Sequence, residues 1–343
     1  MITSPSVPDF LSNCNNPRRA GAIWGSLIGD ALAMPVHWYY NRAELQRDFG
    51  VVRDFVAPKH PHPGSILWRS HYQAPNARGD ILREQALYWG QRGVHYHQFL
   101  RPGENTLNLQ LAKMLAISIT ENGRYDADDY LQRYIAFMLE PGHHRDTYVE
   151  EFHRHFFTQY ANGKNPRKCG LLDIHVGGLA HVGILTAILN CNEDETLAAV
   201  REHVALTHHG PSVSSAAEAL CRMLMDLFSG ADLRKTIHRH GSDWLSASQA
   251  ARWTEMEDAT VVGQKLSPAC YLPDAFTASL YFAWKYADKP EEGLVANTNV
   301  GGDNCHRGAV LGALLGAASS TEGWPARWRE HLVFDSALLQ EEH

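Results

Sequence analysis

The sequence predicts an all-α protein. Segments in which apolar residues recur at helical spacing follow one another along most of the chain. Alternating β-branched runs bounded by turn residues do not recur, and the one candidate strand is the short segment 51–56. No repeat of fixed period and no Gly/Ser linker divides the chain. We therefore expect one set of helices around a shared core.

Composition and charge narrow the class of protein. Apolar residues make up 44% and charged residues 20% of the chain, as in a folded globular protein. The net charge of -7 argues against nucleic acid or an anionic membrane as a partner. No segment approaches the ~20 apolar residues that span a bilayer. The six cysteines include no C-x-x-C pair, which fits a reducing compartment. We expect a soluble, cytoplasmic protein.

The N-terminal half begins with a polar segment. Residues 1–17 predict a loose arm and lack the features of a signal peptide. A loop rich in Pro, Gly and His, residues 52–80, is a candidate cover for a cleft. Periodicity predicts helices over 19–33, 81–93, 106–123, 127–140 and 148–160.

The C-terminal half continues the same pattern. Weaker helical patterns run through 231–260. We assign residues 18–322 to a single domain and residues 323–343 to an extension that packs on the domain or trails from it. Periodicity predicts helices over 177–190, 194–209, 212–230, 274–287 and 307–320.

Two predicted helices carry stripes of glycine four residues apart. Each interior glycine costs about 1 kcal/mol relative to alanine, which close packing of two helices can offset. If the two helices pack antiparallel, Asp30 and Asp303 meet at one end of the pair. The alternative is that Asp303 or Asn304 only caps a helix. The stripes are Gly21, Gly25 and Gly29 in the first helix and Gly308, Gly312 and Gly316 in the last.

The segments around these stripes resemble the opening and closing motifs of the ADP-ribosylglycohydrolase family. The opening motif corresponds to residues 21–35 and the closing motif to residues 299–317. Residues 103–106, Gly-Glu-Asn-Thr, fall where the family carries a Thr-Asp-Asp-Thr metal motif. Thr207-His208 resembles a further signature. The resemblance covers roughly residues 19–320 and is nearest to the J-type crystallin branch.

The resemblance implies a fold, an activity and a cofactor. The fold is a compact domain of orthogonal helices with a central cleft. The activity is cleavage of a glycosidic bond to ADP-ribose, in a small molecule or an ADP-ribosylated substrate. The cofactor is a pair of Mg²⁺ ions.

The chain departs from the family pattern at the positions of the metal-binding and carboxylate residues. The two Asp residues of the metal motif are replaced by Glu104 and Asn105, while Thr106 is retained. In the closing motif only Asp303 remains as a carboxylate, and His37 replaces a Glu of the opening motif. Two Mg²⁺ ions need several anionic oxygens. We therefore expect one divalent ion, Mg²⁺ or another, or none.

The candidate catalytic residues are Glu104, Asp303 and His37. Carboxylates stabilise the positive charge that builds on a sugar when its glycosidic bond breaks, and histidine moves protons near neutral pH. Cys305 and His306 suit zinc better than magnesium. The candidate metal ligands are Glu104, Asn105, Thr106 and Asp303. The candidate substrate-binding residues are Asp30, Asn105, His208, Gly301, Gly302, Asn304 and His306.

Alternatives remain open for the function and for single residues. The first function is hydrolysis of an ADP-ribosyl or related ribosyl compound. The second is a non-catalytic, crystallin-like structural or binding protein, and the third is a metal-free hydrolase that uses its histidines. Glu104 and Asn105 are also helix-cap candidates, and Trp38, Tyr39 and Tyr40 either stack on a substrate ring or pack in the core. We interpret the pairs His95/His97, His153/His155 and His238/His240 as surface histidines.

Overall fold

The computed structural model describes residues 7–12 and 14–334. Within these residues the fold is all-α, as predicted, and β-pairing is limited to three isolated bridges. The candidate strand 51–56 is irregular. The predicted N-terminal arm and C-terminal extension lie partly outside the described residues.

The helices of the described residues follow in chain order. The α-helices are α1 Asp9–Ser12, α2 Pro17–Ala33, α3 Arg42–Phe49, α4 Leu107–Asn122, α5 Ala127–Leu139, α6 Glu151–Ala161, α7 Val182–Ile188, α8 Glu193–Ala205, α9 Pro211–Phe228, α10 Leu233–His240, α11 Ala247–Thr254, α12 Asp258–Thr260, α13 Asp274–Lys285, α14 Pro290–Asn299, α15 Asn304–Ser319 and α16 Ala326–His331. A π-helical turn follows α12 at Val261–Lys265. The 3-10 turns are Met34–Val36, Leu67–Arg69, Ala77–Gly79, Arg83–Tyr88, Pro166–Lys168, Val176–Leu179 and Thr321–Gly323.

One predicted helix was wrong, and helices α1, α3, α14 and α16 were not predicted. The segment 81–93 is not an α-helix, because Arg83, Gly90 and Gly93 all adopt positive φ angles that an α-helix excludes. Helix α14 was not predicted, although it begins with a proline and two glutamates, which are typical of a first helical turn.

Helices α2 and α15 form the centre of the fold. Asn16 caps α2 by accepting hydrogen bonds from the amides of Arg18 and Arg19. Along α15, every residue from Asn304 to Ala317 is buried. The two helices lie antiparallel, since Gly21 faces Gly316 and Gly29 faces Gly308. This confirms the interpretation of the two glycine stripes.

The helix pair is so close that only glycine fits at the crossing. A Cβ added to Gly312 would lie 1.9 Å from the carbonyl oxygen of Gly25, and one added to Gly25 would lie 2.0 Å from that of Gly312. Helices α7, α13 and α14 pack around the pair, and α4 packs on α7. Asp30, near the end of α2, and Asp303, just before α15, therefore lie at the same end of the pair.

Two further features concern the cysteines and the apolar character of the helices. The thiols of all six cysteines are free. Among the described residues, no helix combines the length and the apolar character needed to cross a bilayer.

Candidate functional site

A cleft of about 260 Å³ opens near the end of the α2–α15 pair where Asp30 and Asp303 lie. Ile66, Leu67 and Ser70 from the long loop form part of its wall. A small polar pocket adjoins the cleft and shares Trp38, Tyr148 and Glu150 with it. The side chains that line the polar pocket include His37, His97, Thr106, Asn108, Asp146, His153 and His306.

The Gly301-Gly302 turn positions Asp303. Both glycines have φ of 70°, in the left-handed region that glycine adopts most easily. The amide of Gly302 donates to the carbonyl of Tyr39 at 2.9 Å, and the amide of Trp38 donates to the carbonyl of Gly302 at 2.8 Å. Since the amide of Gly301 also donates, to Thr298, neither glycine amide is free to bind a phosphate in this structure.

Asp303 is fully buried and does not cap α15 with its side chain. Its Oδ1 accepts a hydrogen bond from Nδ1 of His306 at 2.8 Å and lies 3.4 Å from Nε2 of His37. Its Oδ2 has no hydrogen-bond partner. Burial raises the pKa of Asp303, but the charge and hydrogen bond of His306 outweigh it and hold the pKa well below its ordinary value. The capping interpretation of Asp303 was therefore wrong.

His306 stands between two carboxylates. Its Nδ1 faces Asp303, and its Nε2 lies 3.6 Å from Oε1 of Glu150. Burial lowers the pKa of His306, yet the negative charges of Asp303 and Glu150 outweigh burial and raise it to about 10. The amide of Asn108 lies 2.7 Å from the same Nε2 and donates to Glu150 at 2.6 Å.

His37 belongs to a chain of hydrogen bonds that runs away from Asp303. Its Nδ1 lies 2.7 Å from Nε2 of His97, and Nδ1 of His97 is hydrogen-bonded to Asp146. The second oxygen of Asp146 accepts from the amide of Leu107 at 2.6 Å. Burial lowers the pKa of His37 to about 3, even though Asp303 opposes the shift. His37 is therefore neutral at physiological pH.

The start of α4 is held by carboxylates from other elements. Asp30 accepts hydrogen bonds from the amide and the hydroxyl of Thr106, at 2.8 and 2.6 Å, and from the side chain of Asn105 at 2.9 Å. Thr106 makes no capping bond with its own side chain. Asp30 and Asp146 thus satisfy the first free amides of the helix. Asn105 and Thr106, which stand at the family's metal motif, form hydrogen bonds within the protein here.

Glu104 does not join Asp303. Its carboxylate accepts from the amide of Arg101 at 2.5 Å and pairs with the guanidinium groups of Arg101 and Arg145. Among the described residues, the one group of three metal-ligating side chains within reach of a single ion is His37, Asp303 and His306. The expected ligand set of Glu104, Asn105, Thr106 and Asp303 is not assembled.

Two other expected substrate-binding residues lie elsewhere. Nε2 of His208 is 3.7 Å from Oδ2 of Asp173, beside the ring of Phe152. The amide of Asn304 donates to the carbonyls of Thr298 and Val36, so it fixes the turn before α15.

Sequence reasoning missed several residues of the pocket. His95, His97 and His153 are buried, so their interpretation as surface histidines was wrong, whereas His238 is exposed. Glu150 was not singled out, because no motif marks it. Its side chain is only 19% exposed at the junction of cleft and pocket. Burial, aided by the charge of Asp303, raises its pKa despite the opposing effect of His306.

A pair of Mg²⁺ ions does not fit these donors. Both oxygens of Asp30 already accept hydrogen bonds, and Glu104 is paired with arginines. Of the expected carboxylate ligands only Asp303 remains, between two imidazoles, while Glu150 accepts from Asn108 and Asp146 is engaged by His97 and Leu107. Mg²⁺ prefers six oxygen ligands in near-octahedral geometry.

Comparisons with known proteins place the chain in a family. The sequence profile described as ADP-ribosylglycohydrolase matches residues 15–341. A comparison with curated protein sequences finds no significant match. A solved structure described as "ADP-ribosylglycohydrolase-related protein complex" is similar in fold, with a TM-score of 0.62 and 22% identity over 94% of each chain. The chain therefore belongs to the ADP-ribosylglycohydrolase family.

Proposed function

We propose that this protein hydrolyses a glycosidic bond of an ADP-ribosyl or related ribosyl compound. The observation that carries the proposal is the placement of two carboxylates beside His306, Asp303 at 2.8 Å and Glu150 at 3.6 Å, whose pKa values shift in opposite directions. The pKa of Asp303 is held well below its ordinary value, while that of Glu150 is raised. Of the two, Glu150 takes up a proton more readily and Asp303 stays ionised, which matches the division of roles in glycoside hydrolysis.

The two carboxylates take different roles in this reaction. Glu150 gives its proton to the leaving nitrogen or oxygen as the bond to the anomeric carbon breaks. Asp303 stays ionised and stabilises the positive charge that develops on the sugar. Water then adds to the anomeric carbon, and the ionised Glu150 accepts the proton that the water loses. This returns Glu150 to its starting state. No step passes through a Mg²⁺ pair.

The cleft suits a substrate that carries an aromatic base and phosphates. Trp38, Tyr148 and Tyr271 line it and offer ring surfaces for stacking. Trp38 has a φ of 60° and is fixed by its hydrogen bond to Gly302. His175 also lines the cleft; burial lowers its pKa, but the hydrogen bond to Asp173 outweighs burial and raises it. It can therefore carry positive charge towards a phosphate.

The test is a substrate panel with a mass-spectrometric readout. Purified protein is incubated with ADP-ribosylated arginine and serine peptides and with small ADP-ribosyl and ribosyl conjugates. We expect release of free ADP-ribose or ribose from at least one of them. Asp303→Asn removes the buried charge and should abolish the release, whereas Asp243→Asn, at an exposed position, should not. Absence of release from every conjugate would contradict the proposal.

A second candidate function is a non-catalytic, crystallin-like structural or binding protein. The observation that favours it is the engagement of Glu104 and Asn105, at the family's metal positions, with protein groups. This candidate predicts no release from any conjugate and no effect of Asp303→Asn on ligand binding. Release that is lost in Asp303→Asn would reject it.

A further inference from the structure

A nitrogen and an oxygen face each other in the polar pocket without a hydrogen bond between them. Nε2 of His37 has no hydrogen-bond partner, and it lies 3.4 Å from Oδ1 of Asp303. His37 is 1% exposed and Asp303 is fully buried, so bulk water does not solvate either atom. A lone pair that faces an ionised carboxylate in a buried place is unfavourable unless a cation lies between them.

The hydrogen-bond chain behind His37 determines where its proton lies. Asp146 accepts the amide of Leu107 on one oxygen and faces Nδ1 of His97 with the other, so this nitrogen of His97 carries hydrogen. In the tautomer that donates Nδ1–H to Asp146, Nε2 of His97 accepts from Nδ1 of His37 at 2.7 Å. With Nδ1 engaged by His97, Nε2 is the ring nitrogen of His37 that faces Asp303 without a hydrogen-bond partner.

Donor atoms of Asp303 and His306 lie beside His37 and complete a set of three possible metal ligands. Oδ2 of Asp303 is buried and has no partner. His306 lies beside Asp303, and one donor atom each from His37, Asp303 and His306 falls within 4.8 Å of the others. We infer that this pocket binds one transition-metal ion of the Zn²⁺ class through His37, Asp303 and His306, in preference to Mg²⁺.

The donor set selects the class of ion. Imidazole nitrogens suit Zn²⁺, Co²⁺, Ni²⁺ and Fe²⁺, whereas Mg²⁺ prefers oxygen ligands. Three protein ligands with an open fourth position are typical of catalytic zinc sites. An ion here takes the place of the proton that Asp303 and His306 share, because that hydrogen bond and a metal bond use the same side of the ring.

The surrounding groups orient the two imidazoles as metal sites require. His37 is held through its other nitrogen by His97, which is held in turn by Asp146. The other nitrogen of His306 lies 2.7 Å from the side-chain amide of Asn108 and 3.6 Å from Glu150. Metal-binding histidines usually donate their second N–H to a carboxylate or a similar acceptor, which fixes the ring and the tautomer. This inference concerns what the pocket binds and does not depend on the proposed hydrolysis.

The test is calorimetric titration of metal-free protein with Zn²⁺ and, separately, with Mg²⁺. We expect one equivalent of Zn²⁺ to bind at least 100-fold more tightly than Mg²⁺. His37→Gln and Asp303→Asn should each weaken that equivalent by about 10- to 100-fold or more. His144→Gln is the matched control, because His144 is also buried but donates from Nε2 to the backbone carbonyl of Ile81 instead.

A second measurement does not depend on the variants. Co²⁺ added to wild-type protein should give visible absorption bands of a low-coordinate N/O site, and one equivalent of Zn²⁺ should remove them. The inference would be overturned if wild-type protein bound no Zn²⁺, or if it bound two Mg²⁺ ions as tightly as Zn²⁺. It would also be overturned if His37→Gln and Asp303→Asn both bound Zn²⁺ as tightly as wild-type protein, since the ion would then lie on other histidines.

Discussion

Glu150 and Asp303 are both carboxylates near the same imidazole, yet their surroundings push their pKa values in opposite directions. Asp303 receives a hydrogen bond from His306 at 2.8 Å, whereas Glu150 is 3.6 Å from that ring, and burial together with the negative charge of Asp303 raises its pKa. A raised pKa makes Glu150 the proton donor of the pair. Activity should therefore fall as pH rises through the pKa of Glu150.

The proposed role of Glu150 can be separated from a structural role by changing the leaving group. Glu150→Gln should lower kcat about 10²- to 10⁴-fold on a substrate whose leaving atom must be protonated. With a 4-nitrophenyl ribosyl substrate, whose leaving group needs no proton, most of that loss should disappear. Steady-state kinetics on both substrates measures the difference. Glu202→Gln, at an exposed position, is the control, and an equal loss on both substrates would count against proton donation.

At the scale of helices, the α2–α15 crossing depends on the absence of side chains. In an isolated helix, alanine is about 1 kcal/mol more favourable than glycine. In this pair glycine is more favourable than alanine, because a Cβ on Gly312 would lie 1.9 Å from a carbonyl oxygen of α2. The turn that places Asp303 follows from the position of α15, so loosening the crossing also disturbs the pocket.

Gly312→Ala should lower the free energy of unfolding by about 3 kcal/mol or more, since backbone must move to admit the methyl group. Gly123→Ala is the matched control. Gly123 has a φ of 66° at the end of α4 with nothing within 4 Å of an added Cβ, so the cost should be only about 1 kcal/mol from the left-handed backbone. Urea unfolding measures both. Equal effects of the two substitutions would contradict the close crossing.

The helix pair could be predicted from the sequence because its signal is periodic and lies within each helix. Four-residue spacing of Gly308, Gly312 and Gly316 is visible without a partner. The pocket was less predictable, because its groups come from distant segments. Asp146 holds His97 and also the amide of Leu107, 39 residues before it. A short sequence motif does not reveal that Glu104 pairs with arginines while Glu150 lies beside His306.

At the scale of the whole molecule, buried histidines make stability depend on pH. Burial lowers the pKa of His37 and His208 to about 3 and that of His62 and His181 to about 4. Below the unfolded value near 6.5, the unfolded chain binds protons that the folded chain does not. Stability is therefore lost as pH falls from about 6.5 towards 4. His306 acts oppositely: its stabilisation is present below 6.5 and is lost as pH rises through about 10.

Each such histidine should contribute about 1.4 kcal/mol per pH unit in the acidic window. We expect urea unfolding midpoints to fall steeply between pH 6.5 and 5. His62 stacks on Tyr39 at 3.8 Å and both of its ring nitrogens lack partners, so His62→Phe should keep the packing and reduce the slope by about one proton. His238→Gln, at an exposed site, should leave the slope unchanged. A midpoint independent of pH would contradict this account.

The most direct test of the central claim is whether the cleft and its polar pocket bind ADP-ribose. Calorimetric titration of wild-type protein with ADP-ribose should give one site. Trp38→Ala, which removes a ring of the cleft, and Asp303→Asn, which alters the pocket, should each weaken binding at least 10-fold, with Asp243→Asn as control. No binding to wild-type protein, or equal binding to all four proteins, would contradict the claim that this site serves ADP-ribosyl chemistry.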